Sequence, residues 1–243
     1  MSIANSGRFD VHSHLLPGVD DGCSSEEESL QCAREMVAAG YTHSFCTPHF
    51  WTSYPKTTVG AVQKWVVDFQ KRLDEENVPL KLLPGGEINL RANLGEIPIR
   101  DLPTFGMEGK FALIDLWADK LPKFFEPTIR WMQSGGLTVI LAHPERMRAV
   151  QDDPKLGDYF SEIGLLLQGN LQCFSDRENA PTRVTVERFL MEDRYFMLGS
   201  DLHNFETLPN RLNGLQRAIE MVGEGKIGEL TVGNPRKLVV KGK

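Results

Sequence analysis

The chain has little sulfur chemistry to offer. Its four cysteines, Cys23, Cys32, Cys46 and Cys173, form no CxxC pair and no zinc-ribbon spacing. That excludes a thiolate metal site and a disulfide scaffold, so all four are expected to be reduced thiols, with Cys32 and Cys46 in the core. No apolar run approaches the 18 or so residues of a membrane span, and the start carries no charged end followed by an apolar stretch, so a cytoplasmic protein is expected. An excess of bases is missing too. Twenty-seven Lys and Arg against 33 Asp and Glu leave a net charge of −6, which excludes broad electrostatic binding to nucleic acid. No repeat, low-complexity tract or Gly/Ser linker divides the chain.

What is present is an ordinary globular composition. The 243 residues are 41% apolar, with 22 glycines besides, enough for one large core without staples. A single domain over residues 1–243 is expected. Short apolar or β-branched runs at residues 9–12, 41–47, 80–83 (continuing toward Glu87), 111–116, 137–142, 165–168 and 196–198 predict strands. Helix-period stretches alternate with them. Ser25 followed by Glu28 is a capping box that starts a helix at Glu26, buried along Leu30, Ala33, Met36 and Val37 and stopped by Gly40. Val62, Trp65, Val66, Phe69 and Leu73 mark a second, and further helices are predicted near residues 126–133, 183–192 and 209–222. About seven strand–helix alternations at this length predict an α/β fold with a parallel sheet closed into a distorted barrel.

The chain has six histidines, and five of them stand at or just beyond a predicted strand's C-terminal end: His12, His14, His49, His143 and His203. Only His43 lies within a strand, and it is expected to pack in the barrel core or helix layer. In an α/β barrel those strand ends converge on one face, the face that carries active sites. Carboxylates follow the same rule: Asp20 and Asp21 in the first loop, Glu87 in Gly85-Gly-Glu87, Asp115 in the fourth strand, and Asp201 two residues before His203. His12-x-His14 on extended chain points both imidazoles to one side. Imidazole and carboxylate donors without sulfur select manganese, iron or zinc. So many candidate ligands exceed the need of one ion and imply two or three. With Arg146 beside His143, such a site keeps a surplus of positive charge and suits a phosphate ester.

Asp10-Val-His-Ser-His14, Pro17-Gly-Val-Asp-Asp-Gly22, Thr47-Pro-His49, Gly86-Glu-Ile88, Ala142-His-Pro-Glu-Arg146, Ser200-Asp-Leu-His203 and Gly233-Asn-Pro-Arg-Lys237 occur in this order. Together they resemble the PHP (polymerase and histidinol phosphatase) superfamily. Within it they are most similar to the manganese-dependent tyrosine-protein phosphatases of bacterial capsule and exopolysaccharide biosynthesis, from about residue 8 to residue 240. The resemblance implies a distorted (β/α)7 TIM-like barrel of the PHP type. It implies a trinuclear centre in which His12, His14, Glu87 and Asp201 bind one ion, Glu87 bridges to a second held by Asp115 and His143, and Asp21, His49 and His203 bind the third. Arg146 matches the arginine that contacts the substrate phosphate; Arg146, Asp201 and His203 are the residues assigned to catalysis. Asp20 is expected to shape the loop.

The implied activity is hydrolysis of protein phosphotyrosine by metal-bound hydroxide, on the tail of a membrane-associated autokinase that controls polysaccharide export. Two alternatives share the fold: a phosphatase of a small metabolite such as histidinol phosphate, and a module that binds a partner without catalysis. Two departures stand out. Asp115 occupies a position where the tyrosine-phosphatase branch usually has Glu, and Leu171-Gln-Cys-Phe174 replaces the small residues and serine that tend to follow Gln168-Gly-Asn170. Phe50, Trp51 and Tyr54 are candidates for an aromatic rim around a phenyl ring, as is Trp117 with Asp119. Glu26, Glu27 and Glu28 are accounted for by the helix dipole.

Overall fold

The computed structural model describes residues 7–239. Nine parallel strand segments, β1 (Arg8–Ser13), β2 (Tyr41–Cys46), β3 (His49–Phe50), β4 (Lys81–Pro84), β5 (Glu87–Asn89), β6 (Phe111–Asp115), β7 (Thr138–Ala142), β8 (Leu166–Asn170) and β9 (Met197–Gly199), pair as β1-β2-β4 and as β3-β5-β6-β7-β8-β9. β2 fills the strand predicted over residues 41–47, and β3 is a further segment beyond it, parted from β2 at Thr47-Pro48; β4 and β5 are parted at Gly85-Gly86. Pairing resumes beyond both breaks, β2 with β4 and β3 with β5. The barrel therefore has the expected strand sequence, broken in two places.

The last strand meets the first through the loop that follows it. Asp201 N–H donates to the His12 carbonyl at 2.7 Å, and His14 N–H donates to the Leu202 carbonyl at 2.8 Å. The breaks have local causes. Pro48 has no N–H to give the ladder. A Cβ on Gly86 would come within 2.5 Å of the Pro103 side chain, so only glycine lets that loop close against the barrel. Their consequence is functional, because His49 and Glu87 each begin the strand segment that resumes after a break.

The barrel interior is apolar. Phe9, Val11, Phe45, Leu113, Ile140, Ala142 and Met197 come from five different strand segments and form one cluster, closed by Leu238 near the C-terminus. His43 stacks on Phe9 with ring centroids 4.1 Å apart, far in role from the other histidines, as expected. Asn234 of the Gly233-Asn-Pro motif donates to the Phe196 carbonyl at 2.8 Å, tying the end of the chain to the base of β9.

A second, larger cluster lies between strands and helices. α1 (Glu26–Ala38) begins with the Ser25 hydroxyl accepting from Glu28 N–H, and buries Leu30, Ala33 and Met36. The Glu28 carboxylate does not close the box on Ser25; it accepts from Ser24 N–H at 2.8 Å and from Phe205 N–H at 3.2 Å, joining two loops of the barrel mouth. α2 (Val59–Glu75) buries Val62, Val66, Phe69 and Leu73. α3 (Phe125–Ser134), α7 (Pro181–Met191) and α8 (Leu208–Gly228) lie where the periodicity places helices. α4 (Arg148–Asp152), α5 (Leu156–Glu162) and α6 (Leu171–Phe174) are additional, each two turns or less. The unusual Leu171-Gln-Cys-Phe174 stretch is α6, capped by Asn170. All four cysteines are buried thiols, and no described helix is long and apolar enough to cross a membrane.

Candidate metal centre

The site is built from the C-terminal ends of the strands. The pairing of β1 with β2 shifts register between Asp10 and Ser13, an irregularity of the kind that re-aims side chains. Although Phe9 and Val11 pack in the barrel interior, His12 and His14 both reach the mouth, with their Nε2 atoms 3.3 Å apart.

Neighbours fix which nitrogen is free in three of the rings, those of His12, His14 and His203. Gln168 Nε2 donates to the Gly169 carbonyl at 2.7 Å, so its Oε1 faces His12 Nδ1 at 2.8 Å. That Nδ1 must carry the proton, which leaves Nε2 as a lone pair. Asp20 does the same for His14, with Oδ2 at 2.7 Å from Nδ1, while also accepting from His49 N–H at 3.0 Å. Burial opposes its charge, yet His14 holds the Asp20 carboxyl down at about 2. His203 Nδ1 donates to the Asp201 carbonyl at 2.8 Å, freeing its Nε2. Carboxylate or carbonyl partners on the far nitrogen are how metal-ligating imidazoles are normally oriented.

Glu87 is 1% exposed and stands between four imidazoles. Its Oε1 lies 3.5 Å from His12 Nε2 and 3.1 Å from His143 Nε2; its Oε2 lies 3.5 Å from His14 Nε2 and 2.6 Å from His49 Nδ1. Asp201 Oδ1 faces His12 Nε2 and His14 Nε2, each at 3.4 Å. Asp21 Oδ1 faces His49 Nε2 at 3.0 Å and His203 Nε2 at 3.8 Å. Asp115 Oδ1 is 3.7 Å from His143 Nδ1, too long for a hydrogen bond. Burial, and then the charge of Glu87, lift the Asp115 carboxyl to about 6. Burial also works against ionised Glu87 and Asp201, but the facing imidazoles, His12 foremost, hold both carboxyls well below their usual range.

Donor atoms of His14, Asp21, His49 and His203 fall within 4.8 Å of one another, as do those of His12, His14 and Glu87, of His12, His143 and Asp201, and of Glu87, Asp115 and His143. All the ligand residues expected from the sequence are thus in one connected set. The donors fit cations better than they fit each other. Asp115 Oδ2, Glu87 Oε2 and His49 Nδ1 are buried without a hydrogen bond, although the last two are 2.6 Å apart. Unpartnered buried polar atoms cost about 1–3 kcal/mol each, and all three lie within the donor groups, where a divalent ion would satisfy them.

The backbone is strained at two of these residues. His143 (φ 33°) and Asp201 (φ 52°) adopt left-handed conformations, uncommon outside glycine and concentrated at functional sites. Arg211 of α8 pins the second: its Nε donates to the Ser200 and Asp201 carbonyls at 3.0 Å each, and its Nη2 to the Asp201 carbonyl at 2.8 Å. Asp10 accepts from Ser200 N–H at 2.9 Å, and Asn170 Nδ2 donates to Asp201 Oδ2 at 2.9 Å. Glu145, fully buried, accepts from Asn170 N–H at 2.6 Å and from the Tyr195 hydroxyl at 2.8 Å. Arg211, Asp10 and Glu145 are positioning residues whose role has no mark in the sequence pattern.

Arg146 lies at the edge of the set. Its Nη1 donates to Asp201 Oδ2 at 2.7 Å, and its guanidinium carbon lies 5.4 Å from the centre of the Trp117 ring. The other aromatic candidates make internal contacts: Trp51 is tilted against His49 with ring centroids 4.0 Å apart, Tyr54 stacks on it at 5.6 Å, and Phe50 packs on the main core.

The family model for capsular polysaccharide synthesis, CpsB/CapC, matches residues 8–240. The tyrosine-protein phosphatase YwqE of Bacillus subtilis is 29% identical over 200 residues, covering 82% of this chain and 78% of its own. The tyrosine-protein phosphatase CpsB of Streptococcus pneumoniae is 24% identical over 242 residues, covering 96% and 98%. A chain from the crystal structures of YwqE and CpsB, described as unique metal-dependent tyrosine phosphatases, superposes with a TM-score of 0.82 at 26% identity over 93% of this chain and 94% of that one. The phosphotriesterase homology protein from Escherichia coli, complexed with phosphate, superposes with a TM-score of 0.60 at 10% identity, over 96% of this chain and 98% of its own, and is alike in fold.

Proposed function

Because the chain belongs to the CpsB/CapC family of capsular polysaccharide synthesis, we propose that it is a metal-dependent phosphatase of protein phosphotyrosine. The observation that carries this reading is the connected set of imidazoles and carboxylates with one arginine at its edge. We assign His12, His14, Glu87 and Asp201 to a first divalent ion, Glu87 with Asp115 and His143 to a second, and Asp21, His49 and His203 to a third. Nitrogen and oxygen donors without sulfur suit manganese, iron or zinc, and manganese is the one that the family resemblance implies. When bound, the ions supply Lewis acidity and lower the pKa of a water so that a nucleophile exists at neutral pH.

The chain's own residues do the rest. Arg146 binds the phosphoryl oxygens, and Asp201, itself held by Asn170 and Arg211, aims that guanidinium. Gln168 and Asp20 keep the protons of His12 and His14 on Nδ1. Water attacks phosphorus, the bond from phosphorus to the phenolic oxygen breaks, and the tyrosine phenolate departs and takes up the proton that the attacking water gives up. Its conjugate acid has a pKa near 10, so the leaving group needs little help from a general acid. The substrate we assign is the phosphotyrosine-bearing tail of a membrane-associated autokinase, and the four buried thiols support action in the reducing cytoplasm.

Turnover of a phosphotyrosine peptide, a phosphoserine peptide and histidinol phosphate by manganese-loaded protein tests the reading. The phosphotyrosine peptide is expected to have the highest kcat/KM. Faster turnover of histidinol phosphate would make the protein a metabolite phosphatase instead.

Asp115 provides a separate test of the second ion. A side chain one methylene shorter than the branch usually carries holds its ion less tightly, so metal content is expected to fall in steps during dialysis, with one ion lost first. Asp115→Glu should retain that ion at least as well. Asp115→Asn should lose it sooner, because a charge that offsets crowded cations is gone. Elemental analysis during dialysis decides the matter, and an ion lost from the Glu variant but kept by the Asn variant would show that Asp115 does not ligate it.

A further inference from the structure

Trp117 is 67% exposed. A single exposed hydrophobe is ordinary on a protein surface, but three observations set this one apart. It follows the candidate ligand Asp115 by two residues, its ring carries the Arg146 guanidinium at 5.4 Å, and it walls a cleft of about 290 Å³. Asp115, His143 and Arg146 line that cleft together with the apolar Trp117 and Met147. Its volume is at the small end of the roughly 300–1,000 Å³ typical of ligand pockets, suited to one ring and not to a peptide.

We infer that Trp117 is the platform on which the aromatic ring of the substrate lies, and that it selects aryl over alkyl phosphate. The inference rests on the phosphotyrosine reading above and adds the residue that makes the choice. A phosphate held by Arg146 beside Asp115 and His143 directs its ester oxygen into the cleft, because the opposite side is filled by the other ligands. The ring attached to that oxygen then meets the indole. Aromatic pairs attract beyond the area they cover, and the indole edge and face accept a phenyl ring in stacked or tilted geometry. An alkyl chain gains little from the same surface. Trp51 and Tyr54 lie against His49 and do not line this cleft.

Trp117→Ala and Trp117→Phe, both metal-loaded, test the inference against wild type, with phenylphosphonate and methylphosphonate as competitive probes. In Trp117→Ala, phenylphosphonate is expected to bind roughly 10-fold more weakly, on the scale of an aromatic pair and its buried area, while methylphosphonate is unaffected. Trp117→Phe should keep most of the preference. KM for a phosphotyrosine peptide should rise more than kcat falls. In a binding titration read by tryptophan fluorescence, phenylphosphonate should perturb the wild type and not Trp117→Phe, although three other tryptophans remain in the variant. Equal weakening of both phosphonates would mean that Trp117 acts only by supporting Arg146, and no change would remove it from the site; either overturns the inference. The phosphotyrosine reading fails differently. If wild type prefers histidinol phosphate as substrate, that reading falls, while a phenylphosphonate preference lost in Trp117→Ala still establishes the platform.

Discussion

Treatment with a strong chelator is expected to abolish hydrolysis and to lower the melting temperature together, and manganese is expected to restore both. The activity loss follows from where the transition-state charge would be met: among the described residues Arg146 is the only lysine or arginine that donates to a carboxylate of the ligand set, and Lewis-acid stabilisation worth several kcal/mol corresponds to a loss of about 10³-fold or more. The stability loss has an independent cause. Glu87, Asp115 and Asp201 are 1–2% exposed and face imidazoles that are themselves nearly all buried, so the native state presents a formed donor set that an unfolded chain does not. A ligand at 100 to 1,000 times its dissociation constant contributes about 2.7–4.1 kcal/mol per site. For a chain of this length each kcal/mol moves the midpoint by about 2–4 °C, so a fall of about 5–15 °C is expected on losing one tightly held ion. Calorimetry with elemental analysis checks this, with two to three divalent ions per chain expected before chelation. Undiminished activity in metal-free protein would remove the mechanism altogether.

The staves of the barrel are legible in the sequence because parallel strands covered on both faces read as apolar runs, as in Val139 to Ala142. Helices α1 and α2 are legible through Leu30, Ala33 and Met36 and through Val62, Val66, Phe69 and Leu73, whose spacing follows the helical period. The breaks in two staves are not. Whether Gly86 interrupts a strand depends on Pro103 approaching it, a contact formed only by the folded chain. α4, α5 and α6 are too short for periodicity to identify them.

The site divides in the same way. Histidines at strand ends are conspicuous because the strand ends themselves can be located, and His12-x-His14 needs only the two-residue period. Asp20 is legible as a loop residue, but its hold on His14 Nδ1 depends on the loop folding back. Arg211 is the hardest case. Its targets are the main-chain carbonyls of Ser200 and Asp201, and a carbonyl leaves no trace in the identity of the residue that bears it. The aromatic rim has two candidate places, and ring contacts separate them: Trp51 is turned onto His49, whereas Trp117 is exposed beside Arg146.

Replacing Arg146 by alanine is expected to lower kcat/KM for a phosphotyrosine peptide by roughly 10²–10³, the scale of one charged transition-state stabiliser. Metal content should stay near that of the wild type. The geometry separates these two effects, because Arg146 contacts Asp201 through Oδ2, while Oδ1 faces His12 and His14. Asn170 continues to hold Oδ2 in the variant at the 2.9 Å contact it already makes, and Arg211 still fixes the main chain of Asp201. Lysine at position 146 should rescue poorly. A guanidinium bonds Asp201 with one nitrogen, lies across the face of Trp117, and keeps its other donors for two phosphoryl oxygens at once; an ammonium is a point charge with no plane to stack and no fork to offer. The split between kcat and KM then tells when the contact forms. A fall confined to kcat means that Arg146 engages the phosphoryl group only as charge develops in the transition state, whereas a matched rise in KM means that it already binds the ground-state phosphate. Ions lost in parallel with activity would show that Arg146 acts through Asp201, and unchanged kinetics would take it out of the reaction.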